Sequence, residues 1–279
     1  MFVHESQRTR GISSLNPRHR LLRTTFENWW WPVLLGSLAH RLRVVPELFK
    51  RVMDVELRLR TRSGPVLVAR IRDVGGPADV FGLEEYDFPS VGWPRVRFVV
   101  DIGAHIGSFS VWAVSSYRCR AVAVEPNPEA FALLQRNVGQ FGGDVRCIQA
   151  ALAAAPGVRT LVLGEDSAGT SLDPRTASGP VKTIEVEAIT LAQAIEMAAF
   201  PQVDVLKVDI EGAEYEIFMN LDAGLLDAVQ TVLVECHKRP GRSSDGIVEA
   251  LAREGFTTSL TPKSDDLDLV VAVRTPRTV

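Results

Sequence analysis

The apolar positions change rhythm at Trp93. Upstream, Trp29, Trp30, Val33, Leu34, Leu38, Leu42, Val45, Leu48, Phe49 and Val52 recur at roughly helical spacing, and Pro32 and Pro46 punctuate the run. Proline starts or breaks helices, so two short helices are predicted between 26 and 53. Residues 55–59 and 65–71 alternate and predict a β-hairpin, followed by a turn at Gly75-Gly76-Pro77. Downstream, short apolar runs alternate with amphipathic ones. Strands are predicted at 97–101, 120–125, 145–150, 203–209, 229–235, 256–260 and 267–273. Helices fall near 107–116, 128–140, 191–199, 212–220 and 244–254, and extra β pieces at 158–163 and 181–188 flank a polar loop. This pattern specifies a doubly wound α/β fold: a mostly parallel seven-stranded sheet with helices on both faces. The last two strands have too short a link for a crossover helix and must be antiparallel. The expected organisation is a loose arm over 1–25, a helical and β-hairpin cap over 26–93, and an α/β domain over 94–279.

Composition narrows this picture. The chain has 279 residues, 46% of them hydrophobic, enough for one α/β domain plus an extension. A net charge of −3 with 23% charged residues does not suit a nucleic-acid binder, which needs a concentrated basic surface. The early arginines Arg8, Arg10, Arg18, Arg20 and Arg23 read as a solvated arm. Cys119, Cys147 and Cys236 have no paired spacing and read as small hydrophobes in a reducing, cytoplasmic setting. The first 25 residues lack the apolar core of a signal peptide, and the apolar stretch 29–39 is too short to span a bilayer. Trp29-Trp30-Trp31 has three readings: a packed helical cap, a lid over an apolar acceptor, or a foot on a membrane surface. A homodimer stays open.

Candidate chemistry gathers at predicted strand ends. Asp101, Gly103, His105, Gly107 and Ser108 lie where the first strand of the α/β region turns into a helix. Glycines there permit a tight turn and close ligand approach. The spacing is G-x-x-x-G behind an acid, unlike the G-x-G-x-x-G that cradles a pyrophosphate, and it suits a ligand with an ammonium and no phosphate. Glu125 closes the next strand, where an acid accepts hydrogen bonds from ribose hydroxyls, and Pro126 and Asn127 follow to bound an adenine. Ala151, after the third strand, and Tyr86, ahead of the first, join the cofactor-facing set. Glu85 and Tyr86 are placed to close over its far end.

Four stretches now carry a resemblance: Val99-Val-Asp-Ile-Gly-Ala-His-Ile-Gly-Ser-Phe-Ser110, Ala123-Val-Glu-Pro-Asn127, Leu206-Lys-Val-Asp-Ile-Glu-Gly-Ala-Glu214 and Val234-Glu-Cys-His237. In this order they resemble the FkbM family of methyltransferases over roughly residues 80–275. The resemblance implies a class I, Rossmann-like methyltransferase fold, S-adenosylmethionine as donor, and a hydroxyl acceptor on a natural product, sugar or glycolipid. His105 stands where the family commonly has Asn, which alters the loop contacts while keeping a hydrogen-bonding side chain.

The acceptor side is predicted at Asp209, Glu211, Glu235 and His237, on the ends of adjacent strands. Methyl transfer is an in-line displacement that needs positioning, and a base where the acceptor carries a proton. His237 is the first candidate base, because its ordinary pKa lies near working pH and carboxylates would raise it. Asp209 is the second. Lys207 shares a strand face with Asp209 and reads as its salt-bridge partner. Glu214 reads only as a helix N-terminal charge. As an alternative, Asp209, Glu235 and His237 would hold Mg²⁺. The long loop 164–180, with Asp166, Gly169, Thr170 and Ser171, reads as a lid whose Thr170 and Ser171 bind substrate alongside Glu211 and His237. N- or C-methylation, and nucleoside binding without turnover, are the rival functions.

Overall fold

The computed structural model describes residues 51–61, 64–163, 172, 182–239 and 241–275. The two helices expected between 26 and 53 lie almost wholly outside these residues, as do Asp166, Gly169, Thr170 and Ser171 of the 164–180 loop. The hairpin expected upstream is present: β1 (Glu56–Arg60) pairs antiparallel with β2 (Val66–Arg70). The expected turn at Gly75-Gly76-Pro77 is instead the start of helix α1 (Gly75–Gly82). Proline is tolerated there because N–H groups in a first turn have no intrahelical partner to lose.

The central sheet is built from β3 (Phe98–Ile102), β4 (Arg120–Val124), β5 (Val145–Ile148), β9 (Val203–Val208), β10 (Val229–His237), β11 (Phe256–Pro262) and β12 (Leu267–Arg274). Their spatial order is β11-β12-β10-β9-β3-β4-β5. The five from β10 to β5 are parallel, whereas β12 lies antiparallel between β10 and β11. This is the strand arrangement that the resemblance implies, with the predicted antiparallel pair at one edge. β6 (Ala151–Leu152), β7 (Gly157–Leu163) and β8 (Lys182–Ile189) form a small second sheet.

Helices α2 (Ser108–Tyr117), α3 (Pro128–Val138), α4 (Leu191–Ala198), α5 (Glu214–Phe218) and α6 (Ser244–Arg253) connect the strands. Local chemistry sets their starts. Asn127 caps α3, its side chain accepting from the Glu129 amide, with Pro128 in the first turn. Thr190 and Gln193 form a reciprocal capping box at α4.

Successive strand residues face opposite sides, so the sheet divides the interior into two cores. Val100, Ile102, Leu206, Val208, Val232 and Val234 pack on one side. Val99, Val205 and Leu233 pack on the other, together with α2, α3 and the cap residues Leu67, Val80, Phe81, Tyr86 and Trp93. The described part of the cap therefore shares a core with the α/β region. It is tied down further by Asn137, whose amide group pairs with both backbone groups of Val68 and also reaches the Ile106 carbonyl. All three cysteines are free thiols, two of them fully buried. Among the described residues no helix is long and apolar enough to cross a membrane.

Candidate active site

Parallel strands end together, and between β3 and β9 the order in which the chain adds strands reverses, β4 and β5 lying to one side and β9 and β10 to the other. There the sheet opens into a cavity of about 280 Å³ above the carboxyl ends of the strands. Its walls include Tyr86, Gly103, His105, Ser108, Glu125, Pro126, Ala151, Lys207, Asp209, Glu211, Glu235 and His237. Most sequence-predicted residues thus meet in one space.

The donor side is fixed by backbone. Gly103 has φ +75, and a Cβ there would lie 1.6 Å from the Asp209 carbonyl oxygen. What crowds this glycine is the neighbouring strand end, not open ligand space. Gly107 has φ +87, and a Cβ there would press on Leu134 at 2.7 Å, so its role is to let α2 approach α3. Glu125 is buried, and burial pushes its carboxyl up. One of its oxygens accepts from the His105 amide and the other from the Asn127 amide, both at 2.8 Å. These bonds aim the carboxylate from the end of β4. His105 itself sits at φ +51, its ring 3.7 Å from the buried Asp73.

Three predicted cofactor residues do not line the cavity. Asp101 is fully buried beneath it, accepting from Ser110 at 2.7 Å. Gly107 is spent on packing, and Asn127 on capping α3 and holding Glu125.

The acceptor side is fixed by charge. Lys207 stands beside Asp101 in register and donates to the Gly103 carbonyl at 3.0 Å and to Asp209 at 3.1 Å. Burial disfavours its ammonium, but Asp209 and Asp101 outweigh that and hold it protonated. The expected salt bridge exists, and it also ties the donor loop to the acceptor strand. Glu235 is turned toward the cap, where its carboxylate accepts from the Tyr86 hydroxyl. Burial first, then the charge of Asp209, push Glu235 up to about 8.

β10 runs two residues further than predicted, placing His237 within the strand opposite Leu267. Its Nδ1 lies 3.0 Å from Glu214 and its Nε2 lies 3.3 Å from Glu211. Glu214 does more than charge a helix start. The same oxygen accepts from the Ile210 and Gly212 amides and meets the His237 ring. Burial opposes the imidazolium, but the Glu214 hydrogen bond and the charges of Glu214, Glu211 and Asp209 prevail, and His237 is raised to about 10. The rise in basicity has the expected direction, and at about 10 it favours the protonated ring at neutral pH.

The ligand atoms of Asp209, Glu211 and His237 come within 4.8 Å of one another. Glu235, a member of the sequence-predicted metal set, is not among them, because it faces Tyr86.

The sequence reading placed Glu85 and Tyr86 at this cavity but passed over Gly76, Asp79 and Val80, which the cap also contributes. Only its acidity marked Asp79, since nothing local ties α1 to strand ends far along the chain.

The FkbM methyltransferase domain model matches residues 101–258, more than half of the chain, and the chain belongs to that family of methyltransferases. A hexuronic acid methyltransferase, AglP, from Haloferax volcanii is 29% identical over 208 residues, covering 74% of this chain and 80% of its own. The methyltransferase sdnD of Sordaria araneosa is 27% identical over 195 residues, covering 58% of this chain and 74% of its own. Among solved structures, a precorrin-6y C5,15-methyltransferase from Geobacter metallireducens aligns over 67% of this chain and 86% of its own, with 14% identity and a TM-score of 0.41.

Proposed function

We propose that this chain transfers a methyl group from S-adenosylmethionine to an oxygen of a small-molecule or glycan acceptor. The supporting observation is the meeting of two chemically different halves across one cavity. Glu125 offers a pinned carboxylate for a ribose diol, and Asp209, Glu235 and His237 gather at the ends of the next two strands. One relative, whose name specifies a hexuronic acid, is consistent with this.

In the transfer, an acceptor oxygen lone pair attacks the methyl carbon in line. The carbon–sulfur bond breaks toward sulfur, leaving neutral S-adenosylhomocysteine, and the hydroxyl proton passes to a base. Glu235 takes the base role in this reading, since a carboxylate near pH 8 matches the proton it must accept. Asp209, which lines the cavity, orients the acceptor hydroxyl. His237 acts as an imidazolium that holds Glu211 and Glu214 and balances the surrounding acids.

The test combines calorimetry with mass spectrometry. S-adenosylhomocysteine should bind with saturable heat, and sugars and polyols incubated with donor should gain one methyl group at oxygen. A chain that binds neither donor nor product at near-millimolar concentration would end this reading. Methyl groups found on nitrogen or carbon would overturn the acceptor half alone.

A further inference from the structure

The central sheet ends at β11, and among the described residues no strand pairs with its outer edge. We propose that this edge is the interface of a symmetric dimer, in which β11 of one chain pairs antiparallel with β11 of a second copy. The central sheets of the two copies then run on as one.

The ladder decides which main-chain groups face outward. The Lys263 amide donates to the Leu267 carbonyl at 2.9 Å, and the Thr275 amide donates to the Gly255 carbonyl at 3.0 Å. Hydrogen-bonded and non-hydrogen-bonded pairs alternate along an antiparallel ladder, so Thr257, Ser259 and Thr261 bond to β12. The main-chain groups of Phe256, Thr258, Leu260 and Pro262 point away from it. Proline has no N–H, so Pro262 offers only a carbonyl. A twofold axis at Thr258 sets Thr258 against its own copy and Phe256 against Leu260 of the partner subunit. Every outward N–H of the strand then finds a carbonyl, and Pro262 stays outside the ladder. The pattern is self-complementary, as an isologous interface requires.

An exposed edge invites strand pairing, and charged residues are a common guard against it. The edge strands β1, β5 and β7 have that guard: Arg58 and Arg60 on β1, Arg146 on β5 and Arg159 on β7. β11 carries no charge along Phe256-Thr-Thr-Ser-Leu-Thr-Pro262. Leu260 is 39% exposed, whereas Phe256 on the same face is buried. In the dimer each Leu260 lies directly opposite Phe256 of the partner subunit, on one face of the joined sheet, where opposed side chains touch. No like charges meet as the strands approach. A charged peptide gains nothing from this edge. A second β11 matches it in charge, in length and in the position of its proline.

The test is sedimentation of the full chain from about 1 μM to about 1 mM, the range of moderate to weak association. The wild type should pass from monomer to dimer across it, since a short ladder makes a small interface. Thr258→Pro removes the central N–H from both copies, breaks no bond to β12, and is of a kind that edge strands tolerate. Leu260→Lys puts a charge on the bare edge. Each should raise the dissociation constant about 10- to 100-fold, because the symmetry counts every lost bond twice. Melting of dilute samples should stay within about 4 °C of the wild type. Hydrogen exchange of the wild type reads the same edge without any substitution. The Thr258 and Leu260 amides should slow as concentration rises, while those of Thr257 and Ser259, already bonded to β12, should not change. A wild type that stays monomeric at the highest concentration would overturn the proposal. So would a dimer equally stable in both variants, or one whose Thr258 and Leu260 amides exchange as they do in the monomer.

Discussion

The donor and acceptor halves of the cavity are held by different physics. Around Gly103, His105 and Glu125, position is set by backbone: left-handed turns, a carbonyl too close for any Cβ, and two amides on one carboxylate. Around Asp209, Glu211, Glu214, Glu235 and His237, position and protonation are set by mutual charge in a partly dry space. Lys207 joins them, with one ammonium on the Gly103 carbonyl and on Asp209. A backbone-held half should respond to mutation by losing its shape. A charge-held half should keep its shape and change its pH dependence.

The sharpest way to break this contrast is at Gly103. In Gly103→Ala the new methyl would fall 1.6 Å from the Asp209 carbonyl at a positive φ, so the loop or β9 must move. A loss on the order of 3 kcal/mol or more in stability is expected, with donor binding abolished. Thermal denaturation and calorimetry would show it. Near-normal melting with intact donor affinity would mean that the loop is not held by its backbone.

The next effect belongs to the other half. Glu235→Gln keeps the shape and removes the base, so turnover should fall roughly 10²- to 10⁴-fold while S-adenosylhomocysteine affinity changes little. A proportional loss in both would place Glu235 in the donor site instead.

These two halves also differ in how legible they were in the sequence. The strand ends, the glycine turn and Glu125 were readable because a turn at positive φ and an acid closing a strand leave local signatures. The pairing of Lys207 with Asp209 followed from period-2 alternation. Protonation was not readable. The protonation of His237 depends on Glu214, 23 residues earlier, which meets its ring through an oxygen already bound by two amides. Gly75-Gly76-Pro77 looked like a turn because its composition is that of one, and packing of the cap on α2 decided otherwise. The metal alternative shifted for a similar reason, as Tyr86 draws Glu235 away from the other three groups.

A pH profile sharpens the charge-held half further. Glu235 is raised, so it is neutral below about pH 8 and a carboxylate above it. As base it must be ionised, and kcat/KM should climb roughly tenfold per unit up to about pH 8 and then level. His237 loses its proton only near 10, so the plateau should fall there if the imidazolium is needed. Glu214→Gln removes the strongest group raising His237, and the alkaline fall should move to lower pH while the acid limb stays. A flat profile between 6 and 8 would contradict Glu235 as base.

Tyr86→Phe makes the smallest change and separates the cap from the strand it touches. The Tyr86 hydroxyl donates to Glu235 and so favours its ionised form, while burial and the charges of Asp209 and Glu85 favour the neutral one. Removing the hydroxyl leaves the ring packed against Phe109, where the two are edge to face at 4.9 Å, so the fold should hold. The acid limb should then shift upward, lowering the rate at pH 7 by a few fold and leaving the plateau rate nearly intact. That pattern would mark Tyr86 as a residue that tunes the base across the boundary between cap and sheet. A fall in the plateau with an unmoved limb would instead mean that the hydroxyl faces the acceptor.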